Sequence, residues 1–211
     1  MSIQFVVARY NEPIDWLIHT PYDVIIYNKG VAIDFKNTIA LPNVGREAHT
    51  YLYHIINNYD SLSDVTFFTQ ARISDHHYSE DLNTLHTIAK RTFTHGFSDN
   101  YITVNKNSSD WGAPDFNIRI KNELIQKYHI SSDTVDKVIF CDWFKEHIAP
   151  VYPNTLKMYG CAIFAMTKER IWSRPKEYYQ CLFSMLSTEN APIEAHFLER
   201  SWFYVFKCDT L

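Results

Sequence analysis

The strongest indication of the fold class is the segment Ile3-Gln4-Phe5-Val6-Val7-Ala8-Arg9-Tyr10-Asn11-Glu12-Pro13. Its first six residues form a short, continuous and β-branched apolar run, which predicts a buried strand. Asn11 is a good helix cap, and Pro13 is tolerated in a first helical turn. We therefore predict a strand, a short loop and the amino terminus of a helix.

The next apolar run, Asp23-Val24-Ile25-Ile26-Tyr27-Asn28, predicts a second strand. Strand, helix and strand at this spacing are typical of a parallel sheet with a right-handed crossover. Further strands are predicted at residues 64–69, 101–104 and 159–166, whereas residues 29–43 are predicted to be irregular.

Helical spacing of apolar residues predicts helices at residues 46–59, near 82–89, around 117–128, at 133–148, from Pro175 to about 186, and at 194–206. Strands alternate with helices in the first half, and helices dominate the second. The prediction is an α/β fold with an open, mostly parallel (mixed) sheet flanked by helices and a helix-rich C-terminal part. A length of 211 residues suits a single domain spanning residues 1–211.

The amino-acid composition argues against some classes of function. The chain has 20 Lys+Arg against 24 Asp+Glu and a net charge of -4, which argues against an electrostatic nucleic-acid binder. No apolar run reaches the length of a membrane span, and the first residues lack the features of a signal peptide. We therefore expect a cytoplasmic protein without a membrane span. The four cysteines form no close pair, so reduced thiols are expected.

Several common site motifs are missing from the sequence. It contains neither GxGxxG nor GxxxxGK, which argues against the usual nicotinamide and P-loop sites. GxSxG, HExxH and EF-hand loops are absent as well.

In open α/β sheets, ligands bind beyond the carboxyl ends of the strands, which points to residues 9–12, 29–46 and 70–80. A helix amino terminus after Arg9 suits a phosphate or a polar base edge, and Tyr10 can stack on a nucleobase. In the alternative interpretation, Asn11 only caps the helix and Arg9 is solvated. For this loop taken alone, the alternative is favoured.

Two further groups of residues suggest ligand chemistry. Arg46 lies at a predicted helix start, where the helix dipole disfavours a cation unless an anion lies beside it; an ordinary surface arginine is the alternative. Asp75, followed by His76 and His77, offers carboxylate and imidazole ligands that suit Mn²⁺ or Zn²⁺. Tandem histidines that are merely exposed are the alternative there.

The closing helix contains Glu194 and Glu199, five residues apart and therefore not close on one helical face. At least one of them can point into a cleft, and a solvated or salt-bridged carboxylate is the alternative for each.

Four blocks of sequence carry a resemblance to a known family: Phe5-Val6-Val7-Ala8-Arg9-Tyr10-Asn11-Glu12, Leu41-Pro42-Asn43-Val44-Gly45-Arg46-Glu47, Phe67-Phe68-Thr69-Gln70 and Phe197-Leu198-Glu199-Arg200-Ser201-Trp202. With these blocks, which span nearly the whole chain, it resembles small GT-A-type glycosyltransferases and an uncharacterised family related to them. The likeness extends to the amino-terminal glycosyltransferase domain of a larger chlorella-virus protein implicated in glycosylating the major capsid protein.

The resemblance implies a GT-A-like domain that uses a UDP-sugar donor with Mn²⁺ (or Mg²⁺) and a glycan or glycoprotein acceptor, here a viral capsid glycoprotein. By analogy the anomeric configuration is retained. It also implies nucleotide-sugar-binding residues, namely Ala8, Arg9, Tyr10, Asn11, Arg46 and Gln70.

The chain departs from the family pattern because no Asp-x-Asp metal motif occurs in it. We assign Asp75, with His77 as second choice, to the metal, and Glu199 and Glu194 to the carboxylate that the chemistry needs near the anomeric carbon. Two other functions stay open: a catalytically lapsed nucleotide- or sugar-binding domain, and a small hydrolase that uses Asp75 and the histidines with a metal.

Overall fold

The structure, a computed structural model, describes residues 1–73, 82–105, 125–126, 129 and 140–209. The strands are β1 (Ile3–Arg9), β2 (Asp23–Asn28), β3 (Thr38–Ala40), β4 (Val65–Gln70), β5 (Tyr101–Asn105), β6 (Thr155–Tyr159) and β7 (Phe164–Thr167). Five of them form a central sheet in the order β3-β2-β1-β4-β7, and β5 and β6 pair in a small second sheet. The helices are α1 (Arg46–Asn58), α2 (Leu82–His95), α3 (Phe140–His147), α4 (Lys168–Ile171), α5 (Lys176–Ser184) and α6 (Ile193–Val205).

The central sheet is mostly parallel, as predicted. β1 pairs in parallel with β2 and with β4, β2 pairs in parallel with β3, and β7 runs antiparallel to β4. Because β1 lies in the middle, its carboxyl end adjoins those of β2 and β4. The α/β prediction is therefore confirmed.

Both faces of the sheet are covered, which explains the continuous apolar run in β1. Successive side chains of a strand point to opposite faces. Phe5 and Val7 accordingly pack with α2 in one core cluster, whereas Val6 packs with α1 and α6 in the other. Trp202 of α6 is fully buried in the larger cluster.

Three predictions of secondary structure were wrong. The segment after β1 forms only the short 3-10 turn Asp15–His19, in which Leu17 alone is buried, so no apolar helical face stabilises a longer helix. Residues 29–43 include the short strand β3. Of the strand predicted at 159–166, only Tyr159 and residues 164–166 lie in strands, because the 3-10 turn Gly160–Ala162 separates the end of β6 from β7, and these two strands join different sheets.

The other predictions agree with the structure wherever it describes them. The predicted helix at 133–148 contains α3, but residues 130–139 lie outside the described part, as does most of the helix predicted around 117–128. Among the described residues, no helix combines the length and apolar character needed to cross a membrane.

Candidate functional site

A cleft of about 320 Å³ opens where β1, β2 and β4 end. Its walls are formed by Ala8, Arg9, Tyr10, Glu12, Lys29, Asn43, Arg46, Glu47, Gln70 and Asn190. β2 and β3 lie on one side of β1 in the sheet, and β4, which follows them along the chain, lies on the other side. The direction in which successive strands are added therefore reverses at β1. Such a switch point is where open α/β sheets leave a crevice for ligands.

Five of the six residues predicted to bind the nucleotide sugar line this cleft: Ala8, Arg9, Tyr10, Arg46 and Gln70. The sixth, Asn11, does not. Its side-chain oxygen accepts a hydrogen bond from the Val31 N–H at 2.9 Å, which holds the loop after β1 against the loop after β2. Tyr10 is half exposed, so its ring face is accessible for stacking.

Besides lining the cleft, Arg9 stabilises the loops around it. Its side chain is buried and donates to the carbonyl oxygens of Glu12, at 2.9 Å, and Val31, at 3.1 Å. It also donates to the Asn28 side chain at 2.7 Å. The guanidinium therefore fixes the loops at the ends of β1 and β2, in contrast to the solvated arginine of the alternative interpretation.

Glu12 orders the rest of this loop. Its carboxylate accepts hydrogen bonds from the backbone N–H groups of Tyr10, at 2.7 Å, and Asn11, at 3.1 Å. A helix amino terminus that suits a phosphate or a polar base edge was one of the two interpretations of this loop. In the structure no helix begins at residues 10–12, and the Glu12 carboxylate binds the Tyr10 and Asn11 N–H groups.

Gln70 connects β4 to the turn before β7. Its side-chain nitrogen donates to the Cys161 carbonyl at 2.8 Å. Cys161 and Ala162 have φ values of 58° and 55°, in the left-handed region that non-glycine residues rarely adopt. The Tyr51 hydroxyl donates to the Ala162 carbonyl at 3.0 Å and so helps to hold this uncommon backbone.

The start of α1 is anchored to the loop before α6. Gly45 has a φ of 60°, and its N–H donates to the Glu189 carbonyl at 2.8 Å. The Arg46 N–H donates to the Asn190 carbonyl at 3.1 Å. These two bonds bring Asn190, distant in sequence, into the wall of the cleft.

Arg46 has an anion beside it, as its place at a helix start requires. Its Nε lies 3.4 Å from Glu47 Oε2, and its Nη1 lies 3.0 Å from Nδ1 of the buried His196. The neighbouring anion is thus a carboxylate of the chain itself, and Arg46 is held at the edge of the cleft between α1 and α6.

Lys29 is a third cation of the cleft wall, besides Arg9 and Arg46, and the sequence analysis did not single it out. Its ammonium group donates to the Val44 carbonyl at 2.6 Å and to the Arg46 carbonyl. Burial lowers its pKa to about 8, and the nearby Glu47 carboxylate opposes this effect. Its position directly after β2 was the available signal, since that is the end of the strand where ligands bind.

Neither of the carboxylates predicted to be catalytic, Glu199 and Glu194, is among the residues that line the cleft. Glu199 is buried, with Oε2 3.9 Å from Arg200 Nη1. Burial, together with the charge of Glu199, raises the pKa of Cys161 to about 11. Glu194 is partly buried, and desolvation raises its pKa. The carboxylate that lines the cleft wall and is itself buried is Glu47.

The predicted metal ligands Asp75 and His77 lie outside the described residues. Within the part of the chain that the structure describes, no group of three His, Cys, Asp or Glu side chains is arranged to hold a metal ion.

One protein family matches the chain. The model of the family DUF3431, described as "Protein of unknown function", matches residues 5–211. No curated protein and no solved structure matches significantly.

Proposed function

We propose that this chain, which belongs to the DUF3431 family of proteins of unknown function, is a glycosyltransferase that moves a sugar from a UDP-sugar donor to a glycan or glycoprotein acceptor. The observation that carries the proposal is the cleft at the switch point of the sheet. Eight residues from three of the blocks that resemble GT-A-type glycosyltransferases line it: Ala8, Arg9, Tyr10, Glu12, Asn43, Arg46, Glu47 and Gln70.

The charge distribution in the cleft suits a diphosphate. Arg46 and Lys29 approach it from α1 and from the end of β2, and the Lys29 ammonium stays protonated at neutral pH because its pKa of about 8 lies above 7. Tyr10, a half-exposed residue of the same cleft, offers a flat apolar surface to a base. A diphosphate with a base at one end and a sugar at the other uses both features.

The same cations support the chemical step. Breaking the bond between a sugar and a diphosphate develops negative charge on the leaving oxygen, which fixed positive groups stabilise. Arg46 and Lys29 are held by hydrogen bonds to His196 and to backbone carbonyls, so they need little reorganisation when that charge develops. Glu199 and Glu194 remain our predictions for the carboxylate near the anomeric carbon.

A divalent cation remains part of the proposal as well. When bound, it would neutralise the diphosphate further, with Asp75 and His77 as its predicted ligands. The described residues supply no donor set for it, so the roles given to Arg46 and Lys29 do not depend on it.

Calorimetric titration with UDP and UDP-hexoses, with and without Mn²⁺, tests the proposal together with an assay of donor hydrolysis. Binding with hydrolysis of a donor supports the transferase. Binding without turnover of any donor or acceptor supports the lapsed binding domain, and the absence of UDP binding contradicts both.

Arg46→Gln gives a sharper test of the diphosphate site. Loss of a charge-assisted hydrogen bond is worth roughly 1.5–3 kcal/mol, so UDP binding is expected to weaken about 10- to 100-fold. Arg91→Gln is the matched control, because Arg91 is 59% exposed, pairs with Asp99 and lies outside the cleft. Equal UDP affinities of the two variants would contradict the assignment of Arg46.

A further inference from the structure

Gln70 presents to the cleft an oxygen acceptor whose direction the fold determines. The residue ends β4, is partly exposed and lines the cleft. Its side-chain nitrogen, Nε2, donates to the Cys161 carbonyl at 2.8 Å. Since a carbonyl oxygen can only accept a hydrogen bond, the amide must turn its nitrogen towards Cys161 and its oxygen, Oε1, away from it.

The oxygen Oε1 of Gln70 is available to a ligand. Within the described part of the chain, the side chain of Gln70 forms one hydrogen bond, the one that Nε2 donates. Side-chain oxygens that are buried without a partner occur elsewhere among the described residues, for example in Thr50 and Thr66, but Gln70 Oε1 is not one of them. This oxygen therefore has accessible surface, and because Gln70 lines the cleft, a molecule bound there can reach it.

The groups around the amide are held in place. Gln70 pairs with Ala8 of β1 in the central sheet. The turn Gly160–Ala162, which accepts its side-chain hydrogen bond, is fixed by the hydroxyl of the buried Tyr51, which donates to the Ala162 carbonyl at 3.0 Å. The acceptor is thus positioned before a ligand binds, and a preorganised group loses little entropy on binding.

Gln70 lies on the other side of β1 from Lys29. β2 and β4 flank β1, and Lys29 directly follows β2. Neighbouring strands are spaced by about 4.8 Å, so the backbones of Lys29 and Gln70 are separated by roughly 10 Å along the edge of the sheet. A diphosphate held by Lys29 and Arg46 therefore leaves the β4 side of the cleft to the groups that are attached to it.

The acceptor oxygen needs either a donor group or a cation as its partner. A divalent cation is bound by several oxygen or nitrogen ligands, of which Gln70 would be one, whereas a hydroxyl group needs a single acceptor. In a nucleotide sugar, the groups next to the diphosphate are the ribose and the transferred sugar, and both carry hydroxyls. One accessible amide oxygen beside a diphosphate site accordingly suits a sugar hydroxyl.

We infer that Gln70 Oε1 accepts a hydrogen bond from a carbohydrate hydroxyl of the bound nucleotide sugar, and that this bond favours ligands that carry the hydroxyl. The inference rests on the proposed function. The hydroxyl belongs either to the ribose of the nucleotide or to the transferred sugar. A ligand that lacks it loses one neutral hydrogen bond, which corresponds to a roughly 3- to 10-fold weaker affinity.

Gln70→Met removes the acceptor with little change in the length of the side chain. It also removes the donor to Cys161, so the matched control has to loosen the same turn without touching a ligand. Tyr51→Phe does this, because the Tyr51 hydroxyl bonds to Ala162 in that turn and Tyr51 is fully buried outside the cleft wall. Gln70→Met is expected to weaken binding of a ligand that carries the hydroxyl roughly 3- to 10-fold, whereas Tyr51→Phe should keep wild-type affinity.

Calorimetry of the wild type and both variants, with and without Mn²⁺, identifies the hydroxyl. The probes are UDP, 2′-deoxy-UDP, 3′-deoxy-UDP, and the tightest binder among UDP-glucose, UDP-galactose and UDP-N-acetylglucosamine. A loss in Gln70→Met for UDP that disappears with one deoxy nucleotide assigns the bond to the ribose hydroxyl that this nucleotide lacks. A loss for the UDP-hexose alone assigns it to the transferred sugar.

Four results would overturn the inference while leaving the proposed function intact. In the first, Gln70→Met binds every probe as tightly as the wild type. In the second, its loss is equal for UDP and both deoxy nucleotides, which shows that the amide acts on the base or the diphosphate. In the third, Gln70→Met no longer responds to Mn²⁺ although the wild type does, which makes Oε1 a metal ligand. In the fourth, Tyr51→Phe shows the same loss, so that Gln70 acts only through the turn.

Unfolding temperatures show whether the variants are folded. If Gln70→Met does not fold, Gln70→Asn takes its place, because an amide shorter by one methylene cannot bind Cys161 and reach the ligand at once, and the same outcomes decide. If the wild-type protein binds none of the probes, the proposed function itself fails, and this inference fails with it.

Discussion

Acid should weaken this fold through His54, a histidine of α1 that is packed against the central sheet. The residue is 1% exposed, and its Nδ1 lies 3.0 Å from the Tyr27 hydroxyl. Its other ring nitrogen, Nε2, is buried and meets no hydrogen-bond partner among the described residues. A proton added to this ring would place a charge in the core, so burial lowers the pKa of His54 from 6.5 to about 4.

The direction and size of the effect follow from that pKa. Between pH 6.5 and about 4, the unfolded chain binds a proton at His54 and the folded chain does not, so acid favours unfolding. Each pH unit in this window is worth about 1.4 kcal/mol, which gives a total of about 3 kcal/mol. Stability from this source is complete above pH 6.5 and is lost as the pH falls towards 4. Since domains are stable by about 5–15 kcal/mol, the loss is readily measured.

Urea unfolding at a series of pH values between 7 and 4, followed by the fluorescence of the five tryptophans, measures this loss. His54→Gln cannot be protonated, so its free energy of unfolding should fall by about 3 kcal/mol less than that of the wild type over this range. His95→Gln is the control, because His95 is exposed at the end of α2. A wild-type pH dependence in His54→Gln would refute the reasoning.

Two further substitutions test the backbone and the loops around the cleft. Gly45→Ala should lower the free energy of unfolding by about 1–3 kcal/mol, because φ is 60° and the added methyl group meets the Leu186 carbonyl at 2.7 Å. Gly160→Ala, whose methyl group meets no described atom within 4 Å, should change it by less than about 1 kcal/mol, and urea unfolding of both variants checks the difference. Arg9→Lys should lower the free energy of unfolding by about 2–4 kcal/mol in the same assay, because an ammonium group cannot form all the hydrogen bonds that the guanidinium donates to Asn28 and to the loop carbonyls. Unchanged stability would show that Arg9 is held only for a ligand.

The strands and helices that bury a complete apolar pattern could be predicted from the sequence. β2 has the predicted bounds, and α1 and α6 differ from prediction by a residue at their ends. These elements follow from local periodicity, because a strand buried on both faces or a helix with one apolar stripe carries its pattern within a few residues. The segment after β1 lacks such a stripe. Its cap and proline therefore predicted a helix that the tertiary contacts do not support.

The place of the cleft was also predictable, since parallel strands that start together end at one edge of the sheet. Tyr10, Arg46 and Gln70 were assigned to it on that ground and by resemblance, and they line it. The inward turn of Arg9 was not predictable, because its acceptors come from two loops that meet only in the folded chain.

The apolar strands, the polar loops that follow them and the Arg-Glu pair at the start of α1 can be read from the sequence alone. The folded structure is needed to show which of these polar groups find a partner among the described residues. Glu12 satisfies backbone N–H groups, Glu199 approaches Arg200, and Glu47 keeps one oxygen that no described donor reaches. The three carboxylates are alike in sequence, but the burial and hydrogen bonding that distinguish them come from segments far apart along the chain.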